Sequence, residues 1–113
     1  MKSRSKYRAI PTVLDGIRFA SKGEARRYAE LRLLERAGEI SCLTLQPSFV
    51  LQEKFTDAAG VKHRAIKYVG DFKYLENGRT VVEDFKGMET QAFRIKSKLF
   101  RAMYRDVELR IVK

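Results

Sequence analysis

The sequence holds one cysteine, one histidine and two prolines in 113 residues, and 14 acidic residues against 24 lysines and arginines. With Cys42 alone, no disulfide can close within the chain, and one cysteine with one histidine cannot assemble a Cys/His zinc site. Serine–histidine or cysteine–histidine catalysis would have to rest on His63. That residue sits in the polar stretch "DAAGVKHR", which reads as a hairpin tip, whereas a triad needs an oriented base beside a nucleophile. No apolar run is long enough to span a bilayer, and the basic start "MKSRSKYR" is not followed by an apolar segment of the signal-peptide kind. The expectation is a cytoplasmic protein with no membrane partner.

What is present points to a folded, basic domain. The length suits one domain over residues 1–113, and 44% hydrophobic residues with twelve Phe and Tyr are enough for a core. The formal charge of +10 favours a polyanionic partner, most often nucleic acid, over a merely soluble basic protein.

Residues 1–18 read as a basic arm that turns at Pro11 and again at "LDG". "SKGEARRYAELRLLERAG" reads as a helix: Ser21 is a good N-cap, Tyr28, Leu31, Leu34 and Ala37 recur at helical spacing, and Gly38 stops it. "CLTLQPSFVLQEKF" follows as one strand or two, broken near Pro47. "RAIKYVGDFKYLE" alternates as a strand, "NG" at 77–78 signals a hairpin, and "RTVVEDFKG" is the returning strand. "ETQAFRIKSKLFRAMYRD" places Phe93, Ile95, Leu99, Phe100 and Met103 on one broad face of a second helix, and "VELRIVK" closes the chain as a strand. The order α-β-β-β-α-β describes an α/β or α+β domain with a mixed sheet.

A two-residue loop at Asn77–Gly78 pairs Glu76 with Arg79 and, carried along both strands, sets Asp71 opposite Asp84. Alternation puts Val82, Asp84 and Lys86 on one face and Val81, Glu83 and Phe85 on the other. Opposed like charges destabilise a sheet, so something must compensate them. A divalent cation taking oxygen ligands is one answer. Neutralisation by Lys73 and Lys86 in an ion-pair network is the other. Glu24, the last residue of "SKGE", is explained as the acid of a capping box without any further role.

Glu24 on a first helix, Asp71 in one strand and "EDFKG" in the next, followed by a helix and a strand, resemble the PD-(D/E)XK nuclease superfamily. The resemblance covers the whole chain and is narrower to small phage-borne members catalogued as a domain of unknown function. It implies a restriction-endonuclease-like core and a Mg²⁺-dependent endonuclease, with Mn²⁺ as a substitute, hydrolysing DNA that is branched or otherwise structured. By the same resemblance Asp71, Asp84, the Phe85 backbone carbonyl and Glu24 would bind the metal, and Lys86 would activate water and stabilise charge. Gly70 stands where the motif's proline would be, and Ile95 stands where some branches carry a tyrosine after a glutamine like Gln91. Junction-cleaving relatives imply a homodimer, and a phage origin implies the cytoplasm of a bacterial host.

Arg94, Lys98, Arg101 and Arg105 follow Gln91 at three- and four-residue steps and form a polar stripe of one sign, suited to phosphates. Arg26, Arg27 and the arm residues Lys2, Arg4, Lys6 and Arg8 are further DNA-binding candidates. The alternative function is a non-catalytic nucleic-acid-binding module that keeps the nuclease fold.

Overall fold

Two Asx–Gly pairs make the two tightest turns. Asp15–Gly16 (φ 53° and 74°) joins β1 (Thr12–Leu14) to β2 (Ile17–Phe19), and Asn77–Gly78 (φ 51° and 76°) joins β8 (Phe72–Glu76) to β9 (Arg79–Phe85). Positive φ at both central residues matches the right-handed twist of hairpin strands, which is why Asn or Asp followed by Gly is favoured there. The computed structural model describes residues 10–86 and 88–113. Lys2, Arg4, Lys6 and Arg8 lie outside the described residues. The part of the expected arm that is described is this first hairpin, and "DG" between "TVL" and "IRF" was its signal.

α1 (Lys22–Arg36) starts at the Ser21 cap, whose hydroxyl accepts from the Glu24 amide at 3.1 Å. It stops in a Schellman motif: the Gly38 amide donates to the Glu35 carbonyl, the Glu39 amide donates to the Leu34 carbonyl, and Gly38 takes φ 79°. Next come β3 (Ser41–Leu45), β4 (Ser48–Gln52), β5 (Phe55–Thr56), β6 (Lys62–His63) and β7 (Ile66–Val69), before β8 and β9. α2 (Gln91–Met103), capped by Thr90, and β10 (Val107–Val112) complete the chain.

Among the described residues the fold is a mixed α+β arrangement of two helices around a four-stranded sheet ordered β10-β9-β8-β3. β10 runs parallel to β9 and the other pairings are antiparallel. α1 packs on one face through Ala25, Tyr28 and Leu31 against Phe72, Tyr74 and Val81. On the other face, Phe100 of α2 meets Val82, Tyr68 and Leu51. Val81 and Val82 therefore serve opposite cores, as strand alternation requires.

Three expectations need correction. The stretch 64–76 is not one strand: it breaks at Gly70–Asp71, and β7 leaves the sheet to pair with β4 in a separate ribbon. The Gly70 amide donates to the Pro47 carbonyl, and a Cβ on Gly70 would lie 2.6 Å from Val82 Cγ1, so neither proline nor a larger residue fits this corner. The Asn–Gly register holds from Glu76↔Arg79 to Phe72↔Glu83 and ends there. Asp71 would next fall in a non-hydrogen-bonded pair with Asp84. Its amide instead turns in to the Glu83 carbonyl, already opposite Phe72, so the expected Asp71↔Asp84 pair does not form. On α2 the inward residues are Phe93, Ser97, Phe100 and Tyr104, whereas Ile95, Leu99 and Met103 stay about half exposed. The ribbon and sheet cover only part of the helix's apolar arc.

α1 is tied to β9 by a buried ion pair. Glu83, 1% exposed, receives Nε and Nη2 of Arg27 at 2.8 and 2.7 Å, together with the Tyr74 hydroxyl. Arg27 is thereby engaged with Glu83 and Glu30 inside the domain, not presented to a ligand as the sequence suggested. Removing one partner of a buried pair strands the other charge. Arg27→Met should therefore lower unfolding free energy by about 3 kcal/mol in urea titrations, with Arg26→Met, at an exposed position, as the near-neutral control.

Candidate functional site

Asp84 follows Glu83 and points to the opposite face, where it is 2% exposed. Its Oδ2 accepts from the Tyr68 hydroxyl on β7, and its Oδ1 lies 3.3 Å from Lys86 Nζ. Burial and the bond to Asp84 raise the Tyr68 pKa, which keeps the phenol protonated as a donor. The Lys86 ammonium also sits 4.8 Å from the Phe93 ring centroid, a cation–π contact that holds it at the N-terminal end of α2. Asp84 and Lys86 open into a hollow of about 290 Å³ shared with Lys67, Tyr68, Phe93 and Lys96.

Asp71 sits at the corner between β7 and β8, and its Oδ2 accepts from the Phe85 amide at 2.6 Å. With the ladder ended at Phe72, it lines a second hollow of about 190 Å³ together with Glu24, Arg18 and Gln46. Glu24 reaches this point because the first turn of α1 lies directly on Phe85. A Cβ on Gly23 would fall 2.4 Å from Phe85 Cζ, so only glycine lets helix and ring come this close. The hydroxyl half of the capping box is present, but no hydrogen bond joins the Ser21 amide to the Glu24 carboxylate among the described residues. Glu24 instead feels Asp84 and Lys86 through space: burial first, then the Asp84 charge, push its pKa up, and Lys86 pulls it down.

The structure thus brings Glu24, Asp71, Asp84 and Lys86 to the same end of β9: the Asp71 side chain adjoins that of Asp84, while Asp71 and Glu24 line one hollow and Asp84 and Lys86 the other. Lys73 makes no ion pair with either aspartate among the described residues, so the compensation expected from it falls to Lys86. Arg94, Lys98 and Arg101 are exposed along α2, whereas Arg105, expected on the same stripe, lies past the helix end in the exposed turn before β10. Gln91 is exposed at the first residue of α2 but lines neither hollow. Arg26 is exposed on α1. Sequence reasoning missed Tyr68, Phe93, Arg18, Lys67 and Lys96. For Arg18 the "DG" hairpin was a usable signal, whereas Tyr68 reaches Asp84 only because β7 leaves the sheet.

Among the described residues, no set of three or more His, Cys, Asp or Glu side chains forms a ready metal shell. The donor set nevertheless suits a hard cation, since Mg²⁺ commonly takes one or two carboxylates and completes its octahedron with waters and phosphate oxygens. Asp71 and Asp84 could supply those carboxylates, with Glu24 and the Phe85 carbonyl alongside.

The crowding has a titration consequence. Burial, and then the charges of Glu24 and Asp84, raise the Asp71 pKa from 3.8 to about 7, against the lowering effect of the Phe85 amide. An acid whose pKa is raised in the folded state binds more protons there than in the unfolded chain, so its contribution to stability is lost as pH rises. Without divalent cations, wild-type stability should fall between about pH 4 and pH 7. Asp71→Asn should flatten that slope in urea titrations taken across the same range.

No curated protein matches the chain. A family model matches residues 4–113, and the chain belongs to that family, described as "Protein of unknown function (DUF1064)".

Proposed function

We propose that the protein is a Mg²⁺-dependent nuclease that hydrolyses phosphodiester bonds of DNA. The observation that carries this reading is the charge left over at the end of β9. Glu83 is neutralised by a two-point guanidinium contact, whereas Asp84, Asp71 and Glu24 lie close together with, among the described residues, Lys86 as the one cation paired to them. Burial first, and then neighbouring negative charge, raise the pKa of Asp71 and of Glu24, and such a corner is poised for a cation or a proton. The element order supports the restriction-endonuclease-like form of the reading: within the two helices and the four-stranded sheet, the chain runs α1, β3, β8, β9, α2, β10.

Asp71 and Asp84 would hold the ion, with Glu24 beside them. When bound, Mg²⁺ supplies Lewis acidity and lowers the pKa of its water. The Lys86 ammonium, fixed between Asp84 and the Phe93 ring, would stabilise charge on the phosphate and orient the attacking water. The Tyr68 hydroxyl holds one Asp84 oxygen and so fixes the direction of the other. The exposed cations of α2 would bear on the DNA backbone, which positions a duplex without reading its sequence.

A second reading, a nucleic-acid-binding module without catalysis, is favoured by the internal bonds of both aspartates, to the Phe85 amide and to Tyr68 and Lys86. Plasmid and branched substrates incubated with Mg²⁺ or EDTA separate the two. Cleavage with Mg²⁺ alone is expected, and its absence on every substrate removes the nuclease reading. Lys86→Ala should slow cleavage by about 10²-fold or more while DNA binding persists. Wild-type turnover in that variant removes the role given to Lys86.

Binding has its own check. Substituting Arg94, Lys98 and Arg101 together should weaken duplex affinity and reduce the log–log salt slope by roughly 0.9 for each phosphate no longer neutralised. An unchanged slope places the DNA elsewhere.

A further inference from the structure

The ribbon that begins at the acid corner ends in a hairpin whose aromatic residues belong to neither core. β5 and β6 pair through Phe55↔His63 and Thr56↔Lys62. The Phe55 and His63 rings stack with centroids 4.6 Å apart and planes 15° from parallel. Phe55 is 43% exposed, and neither ring joins the buried clusters. His63 is held in place by Asp57, whose Oδ2 lies 2.9 Å from Nε2 while its Oδ1 accepts from the Ala59 and Val61 amides. The turn therefore fixes the ring that supports Phe55, and it does so without burying either.

The surroundings are cationic. Lys54, Lys62, Arg64 and Lys67 stand on or beside the hairpin, against Glu53 and an Asp57 already bonded to His63 and the turn. Lys54, Phe55, Thr56, Lys62 and His63 line a recess of about 320 Å³. A stacked aromatic face beside ammonium groups is the chemistry that receives a nucleobase and its phosphate. Bases inside a duplex are already stacked on their neighbours, so the face is suited to unpaired ones.

We propose that the β5–β6 hairpin is a stacking platform for unpaired bases of single-stranded nucleic acid, with the Phe55–His63 pair as the face and Lys54 and Lys62 as phosphate contacts. The proposal deepens the nuclease reading by naming an unpaired strand as part of the substrate, and it rests on that reading for its link to cleavage. Asp71 lies eight positions after His63, which is at most roughly 28 Å of extended chain. A nucleotide spans about 3.4 Å along a stacked duplex strand and more in an unpaired one, so roughly eight nucleotides or fewer would reach from the platform to the acids.

The chain contains no tryptophan, so Phe55→Trp places one fluorescent reporter on the platform. In EDTA, where no metal-dependent cleavage occurs, its emission should be quenched by an oligothymidylate and not by a blunt duplex of equal length. Phe55→Ala should bind the oligothymidylate about tenfold more weakly, the lower part of the range for one base–aromatic stack, with duplex affinity unchanged. No quenching, equal quenching by the duplex, or wild-type single-strand affinity in Phe55→Ala each overturns the platform. Quenching in a protein that cleaves nothing with Mg²⁺ overturns the nuclease reading and leaves the platform standing. Cleavage without quenching overturns the platform alone.

Discussion

Two neighbouring carboxylates are buried on opposite faces of one strand, and the way each is neutralised organises the molecule. A buried charge is tolerated only with a partner in good geometry. Glu83 has one: the fork of Arg27 and the Tyr74 hydroxyl, which fasten α1 across the sheet. Asp84 has less, a phenol and one ammonium, and it lies close to two further acids. The first arrangement is closed and structural. The second leaves negative charge at the mouth of two hollows, where a cation or a phosphate-bound metal would find it.

That difference depends on how the chain enters β8. At Gly70–Asp71 the backbone passes from the β4–β7 ribbon into the sheet, with the Gly70 amide on Pro47 and its Cα against Val82. The turn does three things together. It sends Tyr68 to Asp84, swings Asp71 into the hollow of Glu24, and leaves β7 free to carry the basic hairpin away from the core. Phe85 performs the matching task on the other side: its amide holds Asp71 and its ring meets Gly23, so Glu24 is carried to the same corner.

The helices divide their labour in a corresponding way. α1 turns Arg27 inward and contributes to the charge network of the sheet, whereas α2 keeps Arg94, Lys98 and Arg101 exposed and the turn after it exposes Arg105. Phe93, from the first turn of α2, supports the Lys86 ammonium. Of the exposed cations of α2, Lys96 lies with Lys67 and Lys86 around the hollow of Asp84, and Arg26 is exposed separately on α1.

The sequence by itself determined the elements whose signals are local. The Ser21 cap and Gly38 stop bounded α1, Asn77–Gly78 fixed the β8–β9 register, and alternation assigned Glu83 and Asp84 to opposite faces, because caps, two-residue turns and strand period are properties of adjacent residues. It also marked Asp71, Asp84 and Lys86, since charged residues within apolar strands stand out, whereas Glu24 on α1 reads as a capping acid and joins them only through the family resemblance. Only the tertiary structure decided the rest. The break of the ladder at Asp71 and the departure of β7 depend on Val82 and Pro47, which touch Gly70 from other parts of the chain. Arg27 reads as one more surface cation until Glu83, 56 residues away, takes it. The inward arc of α2 was misread because periodicity reports which residues share a face, not how much of that face its neighbours are wide enough to cover.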